Sequence, residues 1–181
     1  MTRARHLVAP LAALAVIVPA VTRAQELFKK SEPLEVTIST GLTKLIRDRD
    51  STSRVLHPAE LVYKDSSGTE VKVAVALRTR GHFRRQLRNC DFPPLKVEIT
   101  KANAKNTIFQ GNRSLKLATS CRPSDSDYQQ YILQEAALFR MYQILTPWSY
   151  RVQLAHVTYQ DSAGKAKPVT SWAFFIEDES D

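Results

Sequence analysis

Apolar and polar residues alternate in short runs along most of this chain. Residues 34–39 (Leu-Glu-Val-Thr-Ile-Ser), 60–63 (Glu-Leu-Val-Tyr) and 70–79 (Glu-Val-Lys-Val-Ala-Val-Ala-Leu-Arg-Thr) show the period of two expected of half-buried strands. Residues 64–69 have turn composition, with Gly68 free to take a positive φ, so the second and third runs read as a hairpin. Further strands are predicted over 95–99, 114–118, 150–159 and 169–176, the last two joined by the turn-like segment 160–165. The connector 47–58 is charged and rich in Ser and Thr, and reads as a solvated loop. No internal repeat is visible.

One segment, 127–145, is predicted helical, with Ser126 or Asp127 able to cap it and Thr146-Pro147 stopping it. On a helical wheel Tyr128, Tyr131, Ile132, Leu138, Phe139, Tyr142 and Leu145 share one apolar arc, and Gln129, Gln130, Gln134 and Arg140 lie outside it. Glu135 falls near the middle of the arc. A carboxylate turned toward a core is expensive to ionise unless a cation or donors meet it, so the pattern asks for a partner.

Ahead of these elements, Arg3 and Arg5 precede an apolar run over 7–21, and Thr22-Arg23-Ala24 offers a small residue at a cleavage position. This reads as a secretory signal peptide over residues 1–24. The run contains Pro10 and Pro19 and is shorter than the ~20 residues of a membrane-spanning helix, so anchoring is the weaker alternative and no stable membrane span is expected. The remainder, residues 25–181, reads as one domain exported to a periplasmic or extracellular compartment. Loss of Arg3, Arg5 and Arg23 would leave 23 basic against 18 acidic side chains, a net charge of +5. The whole chain of 181 residues is 43% hydrophobic and 24% charged, an ordinary globular balance rather than a disordered one. Two cysteines are too few for a disulfide-built miniprotein or a four-thiolate zinc site. In an oxidising compartment Cys90 and Cys121 are favoured as a disulfide over free thiols. His57, His82 and His156 show no metal-ligand spacing.

Two features suggest chemistry. Lys116, central in the run Ser-Leu-Lys-Leu-Ala, stands opposite its apolar neighbours and is the partner proposed for Glu135; the alternative is a solvated lysine. Residues 78–88 contain five arginines (Arg78, Arg80, Arg84, Arg85 and Arg88) and Gly81 at the end of a β-run. Guanidinium forks match phosphate oxygens, and Gly81 permits a sharp turn, so an anion site competes here with a plain solvated basic loop. Nucleic acid is a poor partner for an exported chain of modest charge whose basic cluster lacks interleaved stacking residues.

The order of these motifs is similar to that of the CotH-type secreted kinase-like proteins. The resemblance rests on the Arg80-Gly81 turn after a hairpin, the Pro94-Leu95-Lys96 strand, Phe109-x-Gly111 before a Leu-Lys-Leu strand, and a helix opening from Asp127 to Glu135. The strand over 152–159 followed by Trp172-Ala-Phe-Phe-Ile-Glu-Asp178 extends it, so that it covers roughly residues 70–178. It implies an α+β fold, mostly antiparallel sheet with one main helix, like a kinase N-terminal lobe. It also implies ATP and Mg as cofactors and exported proteins as substrates. Arg78, Arg80 and Gly81 would contact the nucleotide phosphates, Lys116 and Glu135 would form the ion pair, and residues 175–178 would line the hinge beside adenine.

The chain departs from that pattern in lacking a glycine-rich loop and any segment supplying a catalytic Asp or metal ligands, so no catalytic or metal residue is assigned. On this reading the chain alone does not transfer phosphate and is the N-terminal part of a longer kinase-like protein or a non-catalytic relative. The competing expectation is a non-enzymatic envelope domain that binds an acidic polymer or protein through its arginine turn; a pure scaffold is the third.

Overall fold

The computed structural model describes residues 26–178; the signal-peptide reading, on residues 1–24, lies outside them. Each alternating run becomes a strand: β1 (Leu34–Thr40), β2 (His57–Lys64), β3 (Glu70–Thr79), β4 (Leu95–Glu98), β5 (Ser114–Thr119), β6 (Val152–Asp161) and β7 (Val169–Glu177). The expected β2–β3 and β6–β7 hairpins form, with Gly68 and Gly164 at positive φ in their turns.

The fold class differs from the expected α+β, kinase-like lobe. The seven strands close into a barrel in the order β1-β2-β3-β4-β5-β7-β6, and the fold is mostly sheet. Six pairings are antiparallel. The seventh is parallel, joining β1 to β6 from Leu34↔Ala155 to Thr40↔Asp161 and removing both sheet edges. The period-two pattern says which face of a strand is buried but not which strand lies beside it, and this reading therefore missed the closure.

The inward residues build one core. Leu34, Val36, Ile38, Leu61, Val73, Leu77, Leu95, Val97, Leu115, Leu117, Val157 and Phe175 are buried in it, and Ala155 faces Ala173 where β6 and β7 pair. At one end Phe109 is fully buried edge-on against Tyr63 and Phe175, with centroids 5.7 and 5.8 Å away, beside Leu27 of a single 3-10 turn (Glu26–Lys29). At the other end Phe92 meets Tyr159 at 4.5 Å, beneath Leu42 and Leu45 of a short helix α1 (Leu42–Arg47). A second short helix, α2 (Lys101–Ala104), follows β4. Neither is long enough to show a helical period in sequence.

The predicted long helix is α3 (Ser126–Leu145), capped by Asp125, whose side chain accepts from the Asp127 N–H at 3.0 Å. It lies on the outside of the barrel over β6 and β7. There Ile132 and Ala136 are buried among Ala118, Val152, Phe174 and Ile176, and Phe139 packs partly against them. Cys90 and Cys121 are bonded, as favoured from sequence, and the link ties the 80–94 loop to the end of β5. Across a separation of 31 residues it restricts the unfolded chain by about 3–4 kcal/mol on a chain-entropy model.

Asp161 fastens α1 to β6. Its carboxylate accepts from the backbone N–H of Lys165 at 2.8 Å and of Leu42 at 2.9 Å, and these bonds, that of Lys165 foremost, hold its pKa below the ordinary 3.8. A carboxyl whose folded pKa is depressed stabilises the fold above its unfolded pKa and loses that contribution as pH falls through the folded value. Asp161→Asn, a mimic of the protonated acid, is expected to melt below the parent protein at neutral pH. The two melting curves, followed by circular dichroism, should converge as pH falls through the depressed pKa of Asp161, below the ordinary 3.8.

Candidate functional site

Strand register gathers the basic residues singled out in the sequence. Leu77, Leu95, Val97, Leu115 and Leu117 point into the barrel, which turns Arg78, Lys96 and Lys116 outward. Arg78 pairs with Lys96 and Lys96 with Lys116, so three cations stand in one row across β3, β4 and β5. At about 4.8 Å between strands the row spans roughly 10 Å of backbone. Arg78 Nε donates to Glu98 Oε1 at 2.9 Å, and Lys96 Nζ lies 2.8 Å from Asp178 Oδ2. The Lys116 ammonium lies 4.9 Å from the centroid of the Tyr150 ring.

The arginine turn follows β3 directly, and Arg80 interacts electrostatically with Arg78 of this row and with Asp178, the partner of Lys96. Arg80 N–H donates to Pro94 O at 2.9 Å, and Gly81 follows at φ 86°, a left-handed conformation that strains any residue with a Cβ. Burial pushes the Arg80 guanidinium below its ordinary pKa; Asp178 and Glu135 pull it back, while Arg84 and Arg78 push it further down. Arg84 is lowered by the same desolvation and partly restored by Glu135. Guanidinium groups stay protonated at neutral pH despite such shifts, so the turn holds two partly desolvated cations side by side.

The five arginines of 78–88 separate into different roles. Arg85 is buried and donates to the carbonyls of Thr79 and, at 3.0 Å, Asp50. Arg49 answers from the opposite loop, donating to Arg85 O and Cys90 O at 2.9 Å and to Asp91 O at 2.5 Å. With the disulfide, this clasp fixes the turn. The connector 47–58 is thus tied down rather than merely solvated. Arg84 donates to Thr119 O and faces the helix, and Arg88 donates to Gln86 at 2.9 Å on the exposed loop.

Glu135 is placed differently from the expected central, buried position. Its carboxylate lies 3.9 Å from Arg84, with the side chain 45% exposed, and Lys116 is not its ion-pair partner. The apolar arc of α3 is wider than the strip of β6 and β7 that receives it. Contact falls on Ile132, Ala136 and Phe139, leaving Glu135 on the flank beside the arginine turn. Arg78, Arg80, Lys116 and Glu135 therefore do share one neighbourhood, through different pairings. Sequence reading assigned no individual role to Lys96 or Tyr150, counted Arg84 only as one of the five clustered arginines, and gave Asp178 only a place at the hinge implied by the resemblance. Lys96 alone carried a usable signal, since it has the same Leu-Lys-apolar setting as Lys116.

Five cations (Arg78, Arg80, Arg84, Lys96 and Lys116) thus face three carboxylates (Glu98, Glu135 and Asp178) among the described residues. Such a face suits an anion with several charged oxygens. For a nucleotide the cations fit the phosphates. The acidic side chains fit a metal less well, since each already meets a cation and no group of three or more His, Cys, Asp or Glu among the described residues could hold one. No helix among the described residues is long and apolar enough to cross a membrane, and this together with the disulfide is compatible with an exported protein. Comparison with protein-family models, with curated proteins and with solved structures finds no match for this chain.

Proposed function

We propose that this chain is an exported anion-binding domain whose outer face over β3, β4 and β5 receives a ligand with several phosphate-type groups in series. The Arg78–Lys96–Lys116 register row carries this reading. Three cations on adjacent strands form a line rather than a point, and Arg80 and Arg84 extend it with guanidinium groups already partly stripped of water. The cost of desolvating those two groups is met in folding, which leaves more of the attraction available to a ligand. Residues 1–24 would deliver the domain to the periplasm or the cell exterior.

The resemblance to CotH-type proteins makes ATP the first ligand to test, with Mg bound through the nucleotide's own phosphates. An acidic polymer is the second reading, favoured because the row lies on the outer surface of a barrel, where a chain can run past it. Titration of the protein with MgATP, with ATP in EDTA and with inorganic polyphosphate, each at low and high salt, separates the two. Metal-dependent nucleotide binding supports the first. Polyphosphate binding that weakens steeply with salt and ignores Mg supports the second. Absence of binding in all arms refutes the anion-binding proposal itself.

A further inference from the structure

The outward face of the long helix is apolar and is covered by no described part of the chain. Tyr131, Leu138, Met141, Tyr142 and Leu145 stand along it, 59–77% exposed, and Trp148 just beyond the helix is 93% exposed. At about 150–250 Å² for an aromatic side chain and somewhat less for an aliphatic one, such exposures present on the order of 800 Å² of apolar surface. The largest apolar patch of a typical monomer is about 300–600 Å², whereas a standard protein interface covers about 800 Å² on each partner.

The charged residues of α3 lie off this face. Asp127 is in the first turn, Glu135 faces Arg84 on the flank, and the Arg140 guanidinium donates to the Ser31 carbonyl at 3.3 Å. Tyrosine, leucine, methionine and glutamine make up the stripe, the composition of an interface core, which is poor in charge and rich in aromatic residues and Met. Such a face has nothing to select a charged partner and matches a second uncharged face. Its layout is also symmetric. Tyr131 precedes Leu138 by seven residues and Leu145 follows it by seven, about 10 Å each way along the helix. A copy of the helix running in the opposite direction past Leu138 therefore sets each Tyr131 beside the other's Leu145.

We infer that α3 is the contact of a two-fold dimer, in which it packs antiparallel against α3 of a second copy with Leu138 beside the axis. A two-fold contact uses the same patch on both subunits, a condition that a face symmetric about one residue meets. A shallow crossing of about 20° keeps the two helices in contact along the stripe. The open groove of about 400 Å³ that Leu138, Tyr142, Trp148 and Tyr150 line would receive Tyr131 of the other copy. This inference rests on α3 and the residues just beyond it, and does not require the ligand proposed above.

Sedimentation of the full chain at micromolar concentration tests the dimer and should give twice the 20.5 kDa mass of one chain. Leu138→Asp sets two carboxylates against each other at the axis and should raise the dimer dissociation constant at least tenfold, with the far-ultraviolet circular dichroism unchanged at this exposed position. Cysteine pairs report the register without that variant. Cys90 and Cys121 are bonded to each other, so an introduced cysteine supplies the one free thiol. On mild oxidation Leu138→Cys should link to itself across the axis, and Tyr131→Cys should link to Leu145→Cys when the two variants are mixed. Tyr131→Cys alone should not link, because the two positions lie about 20 Å apart along the helix pair, too far for a disulfide. The mass of a single chain at every concentration overturns the inference. So does a dimer that Leu138→Asp leaves intact, or linkage of Tyr131→Cys to itself in place of Leu145→Cys.

Discussion

Phe109→Ala should destabilise the barrel by about 3–5 kcal/mol, the range for truncating a fully buried aromatic in a core that cannot close around the gap. Phe109 has no exposed surface and closes one end of the barrel between the rings of Tyr63 and Phe175. Its removal opens a void flanked by strands whose positions are set by hydrogen bonds on both sides, so little collapse is available. At about 2–4 °C per kcal/mol for a domain of this size, the melting temperature should fall by roughly 6–20 °C. Phe83→Ala is the control: that ring is 71% exposed on the arginine turn, and its loss should leave thermal unfolding nearly unchanged. Comparable losses at both positions would contradict the placement of the core.

The second large effect concerns the ligand. Arg78→Gln combined with Lys116→Gln should lower the affinity for inorganic polyphosphate by on the order of 100-fold. Hydrogen bonds to charged groups contribute about 1.5–3 kcal/mol each, and 1.4 kcal/mol is a factor of ten. Both side chains stand on the outer face, and Glu98, the partner released by Arg78, is a third exposed. The melting temperature should therefore change by only a few degrees, which separates lost binding from lost folding. Lys96 is left in place because its partner Asp178 has an almost fully buried side chain, and stranding that carboxylate would confuse the two effects. Unchanged polyphosphate affinity in the double variant would remove the row from the binding face.

Strand positions were readable because alternation is a local property: Leu34, Val36 and Ile38 face the core as their spacing demands. Barrel closure was not, because it depends on β1 lying parallel to β6 more than a hundred residues away, and neither strand records its neighbour. The wheel of α3 shows how wide its apolar arc is but not which part meets the barrel. Thus Ile132 and Ala136 became the contact and Glu135 moved to the flank. The outward cations followed from alternation, yet only register sets Lys96 between Arg78 and Lys116. Adjacent arginines were the least readable. Arg84 reaches toward the helix and Arg85 is buried in the loop clasp, a distinction fixed by the path of a turn rather than by composition.

The most direct measurement is NMR of the full chain with its arginine and lysine side-chain nitrogens labelled and assigned, titrated with tripolyphosphate at low salt. The largest shifts are expected at Arg78, Arg80, Arg84, Lys96 and Lys116, with Arg54, Lys101 and Lys105 left nearly unmoved. Shifts spread evenly over all basic side chains, or centred on those distant ones, would contradict a binding face built by strand register.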